Sequence, residues 1–496
     1  MSLAAQLPAL QVVVPMLTAP LVAFLRLPNL AWAGTLAASA MAFAMAVSLT
    51  LTVLGGVSID YAMGGWPAPF GIVLAIDAFS ALLLLVVTGA STLALLAGKA
   101  SLDREIAVDR QPLFFAGWLL VLAGLSGIVV TGDAFNIFVF MEISSLATYM
   151  LVAGGPDRRA LTSVFKYLIM GTIGATFYLI GVGLIYMMTG TLNLADMADR
   201  IGAVEDVKPI LVAAGFITMG LALKAAVFPL HAWLPNAYTY APNIVTVFLA
   251  ACSTKVALYV LLRFDFVVFQ GNLAQHDLQF AGFLIPLALL GIVMGSIAAV
   301  FERNLKRLLA YSSVAQIGYI LLGAGCVSLL GLTSGIVHMF NHALTKGALF
   351  LAVACLGMSL ARLRVSDIAG VGRQMPWTMA AFVLAGLSLI GVPGTAGFIS
   401  KWYLILAALE QGTLGLFMVA VIIGSSLLAV VYIWRIVETA YFGEREAGAT
   451  VCAEAPLPIL ALTWAAALAN LYFGLRPQLP VELATQAARA LLGDAL

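Results

Sequence analysis

The sequence predicts an all-α polytopic membrane protein with about 14 transmembrane helices, and three observations favour this class. Of the 496 residues, 63% are hydrophobic and 9% are charged, whereas about 25% of the residues in an ordinary soluble domain are charged. Apolar runs of about 20 or more residues, long enough to cross a ~30 Å hydrocarbon layer, follow one another along the chain. Two of the runs are interrupted by proline and glycine close to a lysine. This composition excludes a soluble globular protein.

The first three spans form an N-terminal unit, residues 1–111. The opening residues lack the basic leader of a cleavable signal, so span 1 is expected to stay in the membrane. Between spans 2 and 3, residues 55–71 contain short alternating pieces flanked by glycine and proline. This pattern predicts a small hairpin at the membrane surface. The three spans cover residues 5–25, 30–54 and 72–97.

Spans 4 to 8 form the first of two predicted five-helix units, residues 112–262. Span 7 is interrupted by FPLHAWLP at 228–235, and proline breaks a helix because it lacks the backbone N–H and clashes with the preceding turn. The sequence therefore predicts a broken helix 7. The five spans cover residues 112–131, 134–154, 163–189, 209–230 and 242–262.

Spans 9 to 13 form the second unit, residues 280–441, and span 14 with a short amphipathic tail completes the chain over residues 455–496. GVPGTAGFISKW at 391–402 interrupts span 12, which predicts a broken helix 12. The five spans cover residues 280–300, 306–327, 331–358, 376–410 and 415–441, and span 14 covers 455–473.

The two units are predicted to be inverted repeats. Each has five spans, and because five is odd, the second unit must run upside down relative to the first. In this register Lys224 on span 7 corresponds to Lys401 on span 12. Broken helices in matched positions of two halves are the sequence sign of a transporter site.

Basic residues in the loops predict the orientation. Loops after odd-numbered spans hold thirteen lysines and arginines, and the other loops hold three, Arg200, Lys208 and Arg263. The positive-inside rule therefore places the first set in the cytoplasm and both termini outside, and we expect a bacterial inner membrane. The thirteen are Arg26, Lys99, Arg104, Arg110, Arg158, Arg159, Arg303, Lys306, Arg307, Arg362, Arg364, Arg373 and Arg445.

A series of ionisable residues inside the spans predicts a proton pathway. A charge at mid-membrane costs from ~3 to ~15 kcal/mol, so it is normally kept because an ion pathway needs it. A Glu142–Lys224 pair that forms and breaks would load or release a proton on the lysine. Residues 338, 342 and 346 lie four apart, hence on one helical stripe. The series consists of Glu142, Lys224, Lys255, His338, His342, Lys346 and Lys401.

Each of these residues also has a structural interpretation. A lysine near a span end commonly extends to the headgroups, although Lys224, Lys255 and Lys346 lie several turns from either end. Glu142 would then serve only as a structural partner for a donor. A histidine in a buried bundle is often merely hydrogen-bonded to its neighbours, and this alternative applies most to His338.

Other functional classes find no support. The four cysteines are far apart and show no CxxC spacing, which argues against iron-sulfur clusters and structural zinc. No phosphate-binding loop, nucleophile elbow or HExxH motif occurs, and His231 has no companions for a metal site. A net charge of +1 without a run of like charges gives no case for nucleic acid. We therefore predict no cofactor, no metal and no catalytic residue.

Five segments resemble the antiporter-like membrane subunits shared by respiratory complex I, membrane-bound hydrogenases and Mrp-type cation/proton antiporters. The resemblance covers roughly residues 70–440 and implies fourteen helices with two inverted five-helix units. The segments are LALKAAVFPLHAWLPNAYTYAP (221–242), STKVALY (253–259), AYSSVAQIGY (310–319), HMFNHALTKGALF (338–350) and GVPGTAGFISKWY (391–403).

The resemblance also implies residue roles. Glu142 and Lys224 match the family's ion pair, and Lys255 matches its connecting lysine. His342 and Lys346 match the central relay, and Lys401 matches the terminal proton site. Gln316 and Lys401 make the chain most similar to the D-type subunit of Mrp antiporters. Asn236, Tyr240 and Asn243 depart from the family, which commonly has acidic residues after HAWLP, so the polar lining beside span 8 is expected to differ.

Three functions remain open at this point. The first is the proton-translocating subunit of a multisubunit Na⁺/H⁺ antiporter, with other membrane subunits as partners and H⁺ and Na⁺ as the transported ions. The second is a proton-pumping subunit of a redox-driven complex, similar to NADH:quinone oxidoreductase or a membrane-bound hydrogenase. The third is a nonconducting scaffold whose charges only hold subunits together.

Overall fold

The chain is a bundle of long helices with one small hairpin. A computed structural model describes residues 3–25, 27–269, 276–445 and 451–493; Arg26, one of the residues behind the orientation prediction, lies outside them. The strands are β1 (Ile59–Ala62) and β2 (Val73–Ile76). The helices are α1 (Leu7–Ala23), α2 (Pro28–Leu54), α3 (Ala78–Glu105), α4 (Gln111–Val130), α5 (Ala134–Ala153), α6 (Arg159–Thr189), α7 (Leu194–Ile201), α8 (Lys208–Ala225), α9 (Leu234–Tyr240), α10 (Asn243–Arg263), α11 (His276–Phe301), α12 (Leu305–Gly325), α13 (Leu329–Ser359), α14 (Pro376–Ile390), α15 (Ala396–Leu409), α16 (Gly412–Phe442), α17 (Leu457–Leu475) and α18 (Gln478–Leu491).

The predicted all-α membrane class is confirmed. Within the described ranges, twelve helices are long and apolar enough to cross a membrane. The two remaining predicted spans correspond to shorter apolar helices: span 1 is α1, and span 12 is divided between α14 and α15. The short helices α7, α9 and α18 do not count among the spans.

The predicted hairpin is present, but its second strand lies further along the chain than expected. β1 and β2 pair antiparallel, with Ile59 opposite Ile76. Because the strand residues VLAI are apolar and continue directly into span 3, no change of composition marks a boundary before residue 77. Asp77 supplies that boundary, since it caps α3 through a reciprocal capping box with Ser80, which satisfies backbone donors at the helix start.

Asp77 also joins α3 to the end of α10. Arg263 Nη2 lies 2.5 Å from the Asp77 carboxylate, and the guanidinium carbon lies 5.1 Å from the centre of the Tyr259 ring. Burial acts to raise the pKa of Asp77, but the Arg263 guanidinium and the hydrogen bonds from Ser80 outweigh burial and leave that pKa below its usual value. The charged carboxylate therefore stabilises the folded chain.

We expect Asp77→Asn to destabilise the protein at neutral pH by about 1–3 kcal/mol, because the partly buried Arg263 loses its charged partner. A carboxyl with a depressed folded pKa stabilises the fold above its unfolded pKa of about 3.9, and this contribution is lost as the pH falls through the folded pKa. Thermal unfolding in detergent should thus show a lower melting temperature for the variant at pH 7, and a smaller difference below about pH 4. Asp60→Asn, at an exposed position of β1, is the control. Equal melting temperatures of wild type and Asp77→Asn at pH 7 would contradict the assignment.

Both predicted helix breaks are present. α8 ends at Ala225, and Ala226 takes a positive φ of 57° before the chain turns into α9. α14 ends at Ile390, followed by Gly391 with a φ of 92° and Gly394 with a φ of 87°, a backbone region that glycine adopts readily because it lacks a Cβ. The two lysines differ in detail from the predicted correspondence, since Lys224 precedes its break and Lys401 follows its break.

The helices of the two predicted units have matching neighbours. In the first, α4 packs on α5, α5 on α6, α6 on both α8 and α9, α8 on α10, and α10 returns to α4. In the second, α11 packs on α12, α12 on α13, α13 on both α14 and α15, α15 on α16, and α16 returns to α11. The inverted repeat itself stays a prediction, and this equal order of contacts supports it.

Helix α13 lies at the centre of the bundle. It contacts α3, α10, α12, α14, α15, α17 and α18, so its side chains are buried on nearly all sides. The predicted amphipathic tail is α18, whose apolar side chains Leu483, Ala487 and Leu491 are buried against α3 and α13. The polar side chains of His338, His342 and Lys346 on α13 are therefore held inside protein rather than in lipid.

Candidate functional site

Glu142 on α5 and Lys224 on α8 form the predicted pair. Their Oε1 and Nζ atoms lie 3.6 Å apart, and the side chains are 28% and 8% exposed, respectively. Lys224 Nζ donates to Ser145 Oγ at 2.7 Å, and Ser145 lies one turn beyond Glu142 on the same helix face. Within the described residues Glu142 Oε1 has no hydrogen-bond partner. The carboxylate and the amine thus attract each other by charge, while the amine directs a proton to the serine.

A small cavity lies next to Lys224 and extends towards α10. Its volume is about 30 Å³, and Ser144, Ser145 and Thr148 of α5 and Ser253 of α10 contribute polar side chains to its lining. A site of about 10–15 Å³ holds one water molecule if several polar groups surround it. The cavity is therefore large enough for a short water connection between Lys224 and the helix that carries Lys255.

Lys255 occupies the middle of the series. Its side chain is fully buried, and its Nζ donates to the carbonyl oxygen of Ala250 on its own helix. α10 packs against α13, which places the Lys255 amine within electrostatic range of His342 and Lys346. A proton on one of these groups repels a proton on the next, so a charge that arrives at one end favours release at the other.

The two histidines of the stripe on α13 differ in their hydrogen bonds. His338 Nε2 lies 2.8 Å from Gln316 Oε1 and donates to it, while Nδ1 lies 2.8 Å from Ser400 Oγ. The His342 ring is nearly parallel to the His338 ring, with 6.2 Å between the centroids, and neither of its nitrogens has a hydrogen-bond partner in the described part of the chain. His338 joins three helices, as its structural interpretation expects, whereas His342 is available to exchange a proton.

Lys346 completes the stripe and contacts α12. Its side chain is fully buried, and its Nζ donates to the Leu309 carbonyl oxygen at 2.6 Å and to the hydroxyl of Ser312. Both acceptors are neutral. The amine therefore has hydrogen-bond partners in either protonation state, since a hydroxyl donates as well as accepts.

Lys401 lies at the break between α14 and α15. Its Nζ donates to the carbonyl oxygens of Leu389 at 3.2 Å and Ile390 at 2.8 Å, and to Ser426 Oγ at 3.0 Å. These carbonyls end α14, where the helix dipole favours a positive charge. The amine also lies 5.0 Å from the centre of the Tyr319 ring, a favourable cation–π distance. Although Lys224 and Lys401 lie on opposite sides of their breaks along the chain, the Lys401 side chain reaches back to its break.

The two ends of the series reach the surface of the chain. A cavity of about 210 Å³ next to Lys401 is lined by Trp402 and Leu427, which are 49% and 62% exposed. At the other end, Glu142 lies on a face of α5 whose apolar residues Phe135 and Leu146 are 45% and 58% exposed. Both ends of the series of ionisable side chains therefore lie near the surface of the described chain.

Sequence reasoning missed the neutral partners of these amines. Serines occur throughout membrane helices as packing and hydrogen-bonding residues, so the sequence offers no signal that separates these from the others, apart from their position near a lysine or glutamate. Among the polar partners, Gln316 alone was noticed in the sequence, because it lies in the segment AYSSVAQIGY that resembles the family. The missed residues are Ser145, Ser312, Tyr319 and Ser426 beside the lysine amines, Ser400 beside the His338 ring and Ser253 in the lining of the small cavity.

The three departures from the family pattern lie in and after α9. Asn243 donates from its backbone N at 2.8 Å and its side-chain Nδ2 at 3.0 Å to Glu105. The Tyr240 hydroxyl accepts from Arg159 Nη1 at 3.4 Å. Asn236 is half-buried within α9. Tyr240 and Asn243 line a large polar cavity, and the expectation that its lining differs from that of the family stays a prediction.

Comparisons with known proteins agree with the geometry. Residues 131–428 match the family described as NADH:quinone oxidoreductase/Mrp antiporter, transmembrane. The chain is 43% identical to an NADH-quinone oxidoreductase subunit, the N type, of Desulforudis audaxviator, over 92% of this chain and 90% of that protein. It is 30% identical to the D-type Na⁺/H⁺ antiporter subunit of Bacillus subtilis, over 97% of this chain and 96% of that protein. A solved structure, the Mrp complex from Dietzia sp. DQ12-45-1b, contains a chain with a TM-score of 0.90 and 29% identity, covering 99% of this chain and 98% of that one.

Proposed function

Because the chain belongs to the NADH:quinone oxidoreductase/Mrp antiporter family of membrane proteins, we propose that it is a proton-translocating subunit of a multisubunit monovalent cation/proton antiporter. The observation that carries this proposal is the series of buried amines and imidazoles between Glu142 and Lys401. Placing this many ionisable groups in an apolar bundle is costly, and serine hydroxyls, which both accept and donate protons, lie beside Lys224, Lys346 and Lys401.

Proton movement along the series would proceed by changes of pairing. When Glu142 loses its charge to a proton, the ammonium of Lys224 loses its nearest negative partner and releases a proton to the hydroxyl-lined cavity. Lys255, His342 and Lys346 then pass charge to one another, because each lies within electrostatic range of the next. Lys401, held by carbonyl oxygens and a hydroxyl, would be the group that delivers the proton.

The partners we propose are other membrane subunits at both ends of the series. Glu142 is 28% exposed, and a carboxylate facing lipid at this depth would be costly. A neighbouring subunit that covers this face of α5 removes that cost, and it would also offer Glu142 a polar or basic partner. A second neighbouring subunit would cover the surface cavity next to Lys401 in the same way.

The transported cation, the membrane, the orientation and the structural units are part of the same proposal. The transported cation would be Na⁺, exchanged with help from the partner subunits. The membrane would be the bacterial inner membrane, with both termini outside, as the bias of basic loop residues favours. The structural units would be residues 1–111, an inverted pair of repeats at 112–262 and 280–441, and a final unit at 455–496.

A second candidate is the proton pump of a redox-driven complex. The identity of 43% to an NADH-quinone oxidoreductase subunit favours it, because this value exceeds the 30% identity to the antiporter subunit. The roles of the buried residues would be the same in both cases. Only the driving force would differ, since the chain would then work beside redox proteins.

Purification of the complex distinguishes the two candidates. With a tag on this chain and a mild detergent, we expect mass spectrometry to find small membrane subunits without redox proteins. In vesicles that contain this complex, addition of Na⁺ should then collapse an imposed pH gradient, read with a pH-sensitive dye, and K⁺ in place of Na⁺ tests the choice of cation. Copurification of iron-sulfur, flavin or hydrogenase proteins would contradict the antiporter assignment and support the redox-driven one.

A further inference from the structure

A large polar cavity, here called the basin, opens at one face of the bundle. Its volume is about 960 Å³, and it lies where α3, α9 and α13 end and α10 and α12 begin. Its walls include Arg104, Arg159, Arg303, Arg362 and Arg364, all of which belong to the basic residues that the positive-inside rule assigns to the cytoplasm. The basin therefore offers water and protons a wide polar opening at this face of the bundle.

A buried lysine lines this basin. Lys306 lies in the first turn of α12 and is only 4% exposed. Its Nζ donates to the carbonyl oxygen of Ala241 at 2.7 Å, the residue that follows α9, the second half of broken helix 7. Glu105, at the end of α3, is the negative charge that acts on this amine. None of the roles assigned above uses Lys306.

One side of α12 connects Lys306 to the series of ionisable residues. Lys346 donates to the carbonyl oxygen of Leu309, which lies three residues, about one turn, beyond Lys306, and to Ser312. Further along, Gln316 binds His338. The Tyr319 ring then faces the amine of Lys401. Lys306 thus precedes, on the same helix, the residues that contact three members of the series, Lys346, His338 and Lys401.

We propose that Lys306 is the proton inlet of this chain, a relay residue between the basin and Lys346. In each cycle the neutral Lys306 amine takes one proton from water in the basin. It then gives one proton, by way of water and the Ser312 hydroxyl, to Lys346, and returns to its neutral form. This inference rests on the proposed function, since it names the group through which the proton-translocating series is loaded.

The charges around Lys306 fit an inlet. The negative charge of Glu105 attracts a proton to the Lys306 amine. Arg364 and the other arginines of the basin repel the resulting ammonium, so the proton is not held there permanently. Arg307, the next residue on α12, is engaged elsewhere, since its Nε lies 3.3 Å from Glu302 Oε2. The alternative role of Lys306 is purely structural. Its ammonium lies at the C-terminal end of α9, where a positive charge interacts favourably with the helix dipole and stabilises the helix.

Arginine and histidine at position 306 separate the two roles. Arginine keeps the positive charge and the donor to Ala241, but it does not release a proton in proteins; histidine exchanges protons near neutral pH. For an inlet, Lys306→Arg in the whole complex should reduce proton transport in vesicles at least about tenfold, while Lys306→His keeps a measurable part of it. Lys99→Arg, in a partly exposed pair with Asp103 on α3, is the matched control and should transport like wild type.

Normal transport by Lys306→Arg would overturn the inlet. Loss of transport in an assembled Lys306→His complex as well as in the arginine variant would also overturn it, and so would a failure of the following cysteine labelling. In Lys306→Cys, a membrane-impermeant thiol reagent should label position 306 from the basin side of the assembled complex, a readout that does not depend on transport. If Lys224→Ala abolishes transport as expected while Lys306→Arg transports normally, only the inlet fails. If wild-type vesicles move no protons, the proposed function itself fails.

Discussion

Replacing Lys401 by alanine should abolish proton transport and leave the complex assembled. The lysine amine is the last ionisable group of the series, and the methyl group of alanine offers no site that can take up a proton between Tyr319 and Ser426. A barrier higher by about 1.4 kcal/mol already slows transport tenfold, so we expect less than about a tenth of the wild-type rate. Proton uptake in vesicles measures this, and gel filtration of the purified complex checks assembly.

The same variant tests whether Lys401 merely caps α14. A cap contributes to stability, so its loss would lower the melting temperature but leave the transport rate per assembled complex unchanged. Lys166→Ala is the control, because Lys166 is an exposed lysine on α6 outside the series. Wild-type transport by assembled Lys401→Ala complexes would remove Lys401 from the pathway.

Much of the fold was predictable because the amino-acid composition of a segment is enough to identify a membrane-spanning helix. An apolar run of about 20 residues has few alternatives in a bilayer, so most of the spans agree with the helices to within a few residues, and span 3 is the main exception. The two breaks were predictable for a similar reason, since proline and glycine interrupt a helix locally. The start of α3 was missed because VLAI in β2 is as apolar as the helix that follows, and only the cap at Asp77 separates the two.

The site was predictable only in its ionisable members. Glutamate and lysine stand out in apolar runs because their burial is expensive; the structure places these residues within the helix bundle, and their role in proton transfer stays a prediction. Their neutral partners depend on which helix faces are brought together, which no local pattern encodes; Ser145 and Ser312 are ordinary serines until α8 and α13 place a lysine beside them. Lys306 was overlooked as an interior residue because its position next to Arg307 near a span end is typical of a loop lysine.

The pair at the other end of the series allows a test against the scaffold hypothesis. Lys224→Ala should reduce proton transport below about a tenth of the wild-type rate, because the amine that serves the cavity is lost. The double variant Glu142→Lys, Lys224→Glu keeps one positive and one negative charge at the same two positions. If the charges only hold helices or subunits together, this exchange should restore assembly and function.

We expect the exchanged pair to assemble but not to transport. The amine would then lie on α5, on the partly exposed side, while a carboxylate would occupy the buried position that now donates to Ser145 at 2.7 Å and borders the cavity. An ionised carboxylate there accepts hydrogen bonds but donates none, and its negative charge would hold a proton on Lys255 instead of releasing it. Restored transport in the double variant, with Lys224→Ala inactive, would show that charge balance is sufficient and that the direction of the pair does not matter. Assembly without transport would contradict the scaffold hypothesis, because the charges are balanced and the function is still lost.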